Sequence, residues 1–279
     1  MHYKMVLPVL VLVLVLAGCG RSDITALVFA SGDGEMEKVR ELVDKGVDVN
    51  ASHAGQETAL MRAALKGQSE VVEFLLTKGT DMEATDDQGM TALMRAAFNG
   101  HTEVVKKLLS AGANIDATDN LGGTALILAS YKGRVNVVRE LLARGAHVNA
   151  QNKKGMTALM FAAGEGNIGC LKALLEQGAD TGLKNSDGAT ALIWASLKGH
   201  NPAAEELLEK GAWVDSRDNN GVTALIMAAE KGHVEVLKTL LNYGADVNIE
   251  HSEGWTALMF AENKGNSQII QLLEEAGAK

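Results

Sequence analysis

Thiols and imidazoles are the side chains best placed for nucleophilic, acid–base and metal chemistry near neutral pH. This 279-residue chain has few of them: two cysteines, Cys19 and Cys170, and seven histidines. No cysteine pair and no closely spaced histidine pair supplies a zinc ligand set. There is no glycine-rich phosphate loop with its lysine, no nucleophile elbow and no Cys–His pairing. His101, His200 and His233 recur at one position of a repeat, and copies stacked at about 8–10 Å hold them too far apart to share one ion directly. The carboxylates are periodic too, as on a solvated face, and a repeated surface offers no deep pocket in which to shift a pKa. The expectation is therefore a protein with no catalytic residue, no metal site and no cofactor.

What positions these residues is a frame repeated without insertion or deletion. The tripeptide Thr-Ala-Leu begins at Thr25, Thr58, Thr91, Thr124, Thr157, Thr190, Thr223 and Thr256, each 33 residues from the last. A fixed period of this size signals stacked repeats. Counting from the Thr as zero, Ala at one, Leu at two, Ala at five, Gly at nine and Gly at twenty-one are the same in all eight copies. In the third copy Thr91 is an N-cap, and Leu93, Ala96, Ala97 and Gly100 fall on one face of a first helix. A second helix over 102–111 carries Val104, Val105, Leu108 and Leu109, and Gly112 can take the left-handed conformation that ends it. An Asn-, Asp- and Gly-rich hairpin follows. Neither helix can bury its apolar face alone, so neighbouring copies must stack. With 47% hydrophobic but only 4% aromatic residues, the core is built from Ala, Leu, Val and Met.

The period, the paired short helices and the phrases TALMRAA, GHTEVV, LL and GAxVNA resemble the ankyrin repeat over residues 24–279. The fold class expected is all-α, an ankyrin-repeat solenoid of eight 33-residue helix-turn-helix-hairpin units. One departure is systematic: the family's Thr-Pro-Leu-His becomes Thr-Ala-Leu followed by Met, Ile or, in the first copy, Val28. Apolar packing should replace the histidine's hydrogen bonds. The resemblance implies a non-enzymatic protein-binding scaffold, monomeric, with one or more protein partners.

The start of the chain has a different character. Residues 1–18 hold Lys4 and a nearly unbroken apolar run from Met5 to Leu16, too short for a comfortable bilayer span and shaped like a secretory leader. The run ends in Leu16-Ala17-Gly18-Cys19, which is similar to the bacterial lipobox. That resemblance implies cleavage before Cys19 and lipid attachment to its thiol and new amine, including palmitate-like acyl chains, with residues 19–23 as a short lipidated linker. Several acyl chains anchor stably where one is marginal. Gly20 follows the cysteine, which implies the outer membrane, facing the periplasm. The formal charge of −9 excludes nucleic acid as the main partner, since that demands clustered Lys and Arg.

Several local expectations follow. Cys170 stands where other copies carry Val and reads as a small buried hydrophobe. Ser31 and Lys38 in the first copy, and Glu262 and Glu274 in the last, read as polar cover for terminal faces. Asp180 to Leu183 predicts one irregular connection, and Asn201-Pro202 predicts an N-cap and first helical residue. The candidate binding residues lie on the first helix, at positions the resemblance places on the inner face of the curve. Position four holds Phe29, Arg62, Arg95, Leu128, Phe161, Trp194, Met227 and Phe260; position eight includes Lys198 and Lys231. Of these, Arg62, Arg95, Phe161, Trp194, Met227, Phe260, Lys198 and Lys231 are the partner-binding set, because large apolar and Arg side chains dominate interfaces. Half-burial of position four between adjacent helices fits the same pattern. The hairpin tips, among them Asp86, Asp87, Asp119, Asn120, Lys153, Lys154, Asp187, Asp218, Asn219 and Glu253, are a second candidate surface, with turn chemistry as the alternative. A small-ligand or metal receptor using the aromatic face of copies five to eight, and an immunity or effector protein acting on another enzyme, stay open as functions.

Overall fold

The computed structural model describes the backbone of residues 7–279 and the side chains from residue 20 onward. The side chains of the expected leader and of Cys19 lie outside the described residues. Among the described residues there are sixteen α-helices, one short 3-10 turn at Ala54–Gln56 and no strand. The hairpins show β pairing only as the isolated bridges Ser52 with Thr58 and Gln151 with Thr157. Among the described residues no helix is long and apolar enough to cross a membrane.

The chain forms two units, one ending at Asn120 and one beginning at Leu121. The first holds α1 (Leu7–Asp33), α2 (Met36–Asp44), α3 (Ala59–Lys66), α4 (Ser69–Thr77), α5 (Ala92–Asn99) and α6 (Thr102–Ser110). The second holds α7 (Ala125–Tyr131), α8 (Val135–Ala143), α9 (Ala158–Gly164), α10 (Ile168–Glu176), α11 (Ala191–Lys198) and α12 (Asn201–Glu209). It continues with α13 (Ala224–Lys231), α14 (Val234–Asn242), α15 (Ala257–Lys264) and α16 (Ser267–Glu275). Within each unit the first helices of successive copies pack on one another and the second helices do likewise.

Seven of the eight frame threonines start a helix as expected. Each Oγ1 accepts from the backbone N–H three residues on, at 3.2–3.4 Å, while the Thr itself stays extended. The exception is Thr25. It lies inside the continuous helix α1, where its hydroxyl donates to the Arg21 carbonyl at 2.9 Å and meets His53 Nδ1 at 3.0 Å. A hydroxyl bonding back four residues is what a mid-helix Thr does once an upstream turn already satisfies the local N–H groups.

The Met and Ile that replace histidine are core residues. Met61, Met94, Ile127, Met160, Ile193 and Ile226 are all buried, whereas Met259 in the eighth copy is 43% exposed. Cys170 is fully buried in α10, and burial pushes its thiol up to about 11.

Position ten shows how copies are tied together. Gln68, His101, Asn167 and His233 each precede a second helix, yet none caps its own helix with its side chain. Each reaches back to the preceding copy's first-helix carbonyls: Gln68 Nε2 donates to Gly32, His101 Nε2 to Leu65, Asn167 Nδ2 to Ser130 and Tyr131, and His233 Nε2 to Leu197, at 2.9–3.2 Å. These are the orphan acceptors that every helix end leaves. The glycine at nine is required twice over. Gly199 has φ +76°, and a Cβ there would lie 2.6 Å from His233 Nδ1.

Three local expectations are corrected. Ser31 does not cover a terminal face: it is fully buried, as are Ser130 and Ser196 at the same position of other copies. A hydroxyl little larger than the alanine hydrogen it replaces fits the same helix–helix contact. The connection at Asp180 to Leu183 is regular. Gly182 N–H donates to Asp180 Oδ1 as Asp116 N–H does to Asn114, and Asp180 N–H donates to Asn149 as Asp81 N–H does to Asn50. A short side-chain acceptor at Asp180 is all that turn needs, so Gly182 changes nothing. In α12 the N-cap is His200, so Asn201 and Pro202 are the first two helical residues; the Asn201 side chain accepts from the Thr239 hydroxyl instead. Lys38 pairs with Glu41, and Glu262 and Glu274 are exposed as expected.

Candidate functional site

Position four is a ridge, half-buried in every copy but the first, where Phe29 is 43% exposed. Its geometry follows from stacking: the position-four side chain of one copy lies against position seven of the copy before it. In the first unit a Cβ on Gly32 would come 2.6 Å from Arg62 Cγ. In the second, a Cβ on Gly164 would meet the Trp194 ring at 3.5 Å, and Phe161 packs edge-to-face on Tyr131 with centroids 5.6 Å apart. Position seven is glycine in front of Arg62 and Trp194.

The two units fill this ridge differently. In the first, Arg62 lies 5.1 Å over the Phe29 ring and reaches Glu57 at 3.5 Å. Arg95 reaches Glu57 at 3.7 Å, and its Nε donates to Asp86 Oδ2 at 2.8 Å, with a second bond from Nη2 to the same oxygen. Asp86 is 5% exposed and also accepts from the Gln88 and Met90 N–H groups. Both arginines of the candidate set thus have internal carboxylate partners. In the second unit position four holds the uncharged Leu128, Phe161, Trp194, Met227 and Phe260. Phe260 lies 5.2 Å from the Trp255 ring and 5.3 Å from His251. Tyr131 is 38% and Trp255 37% exposed at the two ends of this strip. Among the described residues the indole N–H of Trp194 donates to no acceptor.

Position eight flanks the strip. Lys132, Lys198, Lys231 and Lys264 are exposed there, and Glu165 interrupts them. Lys231 pairs with Glu230 at 2.9 Å, and Lys132 lies 4.9 Å over Tyr131. The sequence reading did not single out Tyr131 or Trp255, although their exposed aromatic type beside the ridge was the available signal.

At the hairpin tips, turn chemistry accounts for several candidates. Asp86, Asn152, Asn185 and Asp218 each accept two backbone N–H groups of their own turn. Asn120 and Asn219 bridge to the preceding tip through both backbone and side chain. Among the described residues no group of three or more His, Cys, Asp or Glu converges as a metal site would require.

These features define a protein of stacked helix pairs whose outward chemistry is a surface. The family model for ankyrin repeats (3 copies) matches residues 7–86, 67–152, 145–218 and 213–279, and the chain belongs to the ankyrin-repeat family. A comparison with curated proteins found no match. Ankyrin repeats are in general protein–protein interaction modules and are typically not enzymes.

Proposed function

We propose that this chain is a non-enzymatic scaffold that binds a protein partner on the first-helix ridge of copies four to eight, and that lipid on Cys19 holds it at a bacterial envelope membrane. The observation that carries the binding half is the strip of half-buried Phe161, Trp194, Met227 and Phe260, which runs across successive copies. Anchors of this type give most of the energy of an interface. Stacking fixes their backbone in advance, so little order has to be created on binding. The lipid half is supported by the apolar run that ends in Leu16-Ala17-Gly18-Cys19, with Gly20 after it favouring the outer membrane and the periplasm.

Crosslinked pull-down from envelope fractions tests both halves. The native protein should partition into detergent and enrich one envelope protein. Cys19→Ala should lose the partitioning, and Phe161→Ala with Trp194→Ala should lose the client while staying folded. Unchanged partitioning of Cys19→Ala would remove the lipid half, and unchanged enrichment by the double variant would remove the binding half.

A further inference from the structure

The chain as a whole is acidic, with 35 Asp and Glu against 26 Lys and Arg. The row beside the apolar strip reverses that balance. In copies four to eight, position eight carries four exposed lysines and one glutamate. Within the row Lys231 pairs with Glu230, and Glu165 is the one carboxylate at position eight of these copies. Among the described residues Lys198 and Lys264 form no ion pair. The same position in copies one to three is mixed, with Asp33, Lys66 and Asn99. A local positive row on a negative protein attracts carboxylates there, and complementary potentials select partners and orient them.

Resting on the scaffold reading, we infer that the occupant of the strip is a segment of another protein with bulky apolar side chains along one face and carboxylates along the flank that meets position eight. Its apolar side chains meet Phe161, Trp194 and Phe260, and its acidic flank meets Lys198, Lys231 and Lys264. Three successive steps between copies five and eight, each about 10 Å, set a reach suited to several helical turns.

Two fluorescent synthetic peptides provide the test, used with the full chain in detergent micelles. Both carry Leu and Phe at helical i, i+3, i+4 and i+7 spacing; one has Glu and the other Lys along one flank. The Glu peptide should bind at least about tenfold more tightly than the Lys peptide at low salt, with the difference shrinking as salt rises. The combined Lys198→Glu, Lys231→Glu and Lys264→Glu variant should reverse that order. Because the peptide and salt series use the unaltered protein, the inference stays testable if the variant misfolds. Equal affinities, no binding of the Glu peptide, or an unchanged order in a folded triple variant would each overturn it. So would lysine-dependent binding of phosphatidylglycerol vesicles by Cys19→Ala without discrimination between the peptides. A crosslinked client kept by the triple variant but lost by Phe161→Ala with Trp194→Ala would leave the scaffold reading standing and remove this one.

Discussion

Copies one to three and copies four to eight place the same frame position on the same helix, yet use it for different purposes. In the first unit position four is an ionic ladder, Phe29 to Arg62 to Glu57 to Arg95 to Asp86, whose charges are already matched. A partner there must displace internal carboxylates and regains only what it breaks. In the second unit the rungs are Phe161 on Tyr131, Trp194 over Gly164, Met227, and Phe260 beside Trp255, all uncharged, so a partner there breaks no ion pair of these side chains. A side chain's suitability for binding therefore depends less on its type than on whether the fold has already satisfied it. Arginine is an interface residue in general, but here Arg95 has work inside the molecule.

The contrast can be broken most severely at Asp86. Removing a buried carboxylate that holds both Arg95 and its own turn should cost about 3 kcal/mol in urea-induced unfolding, for Asp86→Ala. A loss near zero would mean that the ladder is ornamental. Trp194→Ala should cost about 2 kcal/mol, since the ring is half-buried over Gly164, and that cost should not change between low and 1 M salt. Arg62→Met should cost less than about 1 kcal/mol, and salt should weaken it further, as expected for partly exposed pairing. Two glycines sharpen the comparison at smaller scale. Gly164→Ala meets Trp194 only at ordinary contact distance and should stabilise by up to about 1 kcal/mol through helix propensity. Gly32→Ala must push Arg62 aside and should destabilise instead, with the Arg62 displacement visible as a lost shift of the Phe29 ring resonances. The second unit's core also has its own reporter in Cys170. Its thiol is raised to about 11 by burial, against 9.0 ordinarily, so the folded state holds a proton that the unfolded chain loses first. Folding stability is therefore untouched by this group near neutrality and falls as pH rises above 9. Ellman's reagent at pH 8 should label Cys170 only as fast as copy five opens.

Much of this fold was legible because each copy repeats the same instructions. Thr at the helix start, Leu and Ala on one face and Gly at nine and twenty-one are local signals, and the structure uses them locally in seven copies. Thr25 differs from the other seven because its role depends on what precedes it: the upstream chain is already helical, so there is no helix start left to cap. Ser31 was misjudged because polarity was taken for exposure, when the helix contact at position six has room for a buried serine in place of alanine. Position ten was recognisable as a frame position, but its reach back to the previous copy's carbonyls lies across 36 residues of sequence and cannot be read from spacing alone. The ridge itself was visible as residue types. Its division into an ionic and an apolar part was not, because Glu57 and Asp86 sit in the hairpins, outside the helix that carries their partners.

The ties at position ten also bear on how such a molecule can change over generations. Glutamine, histidine and asparagine all perform the same task there, each donating to an address that every copy writes in the same place. A duplicated copy that carries one of these donors therefore finds its acceptor ready on the copy before it, with no matching change needed elsewhere. The length of the binding strip is thus inherited as a number of copies, while its chemistry is inherited one ridge residue at a time.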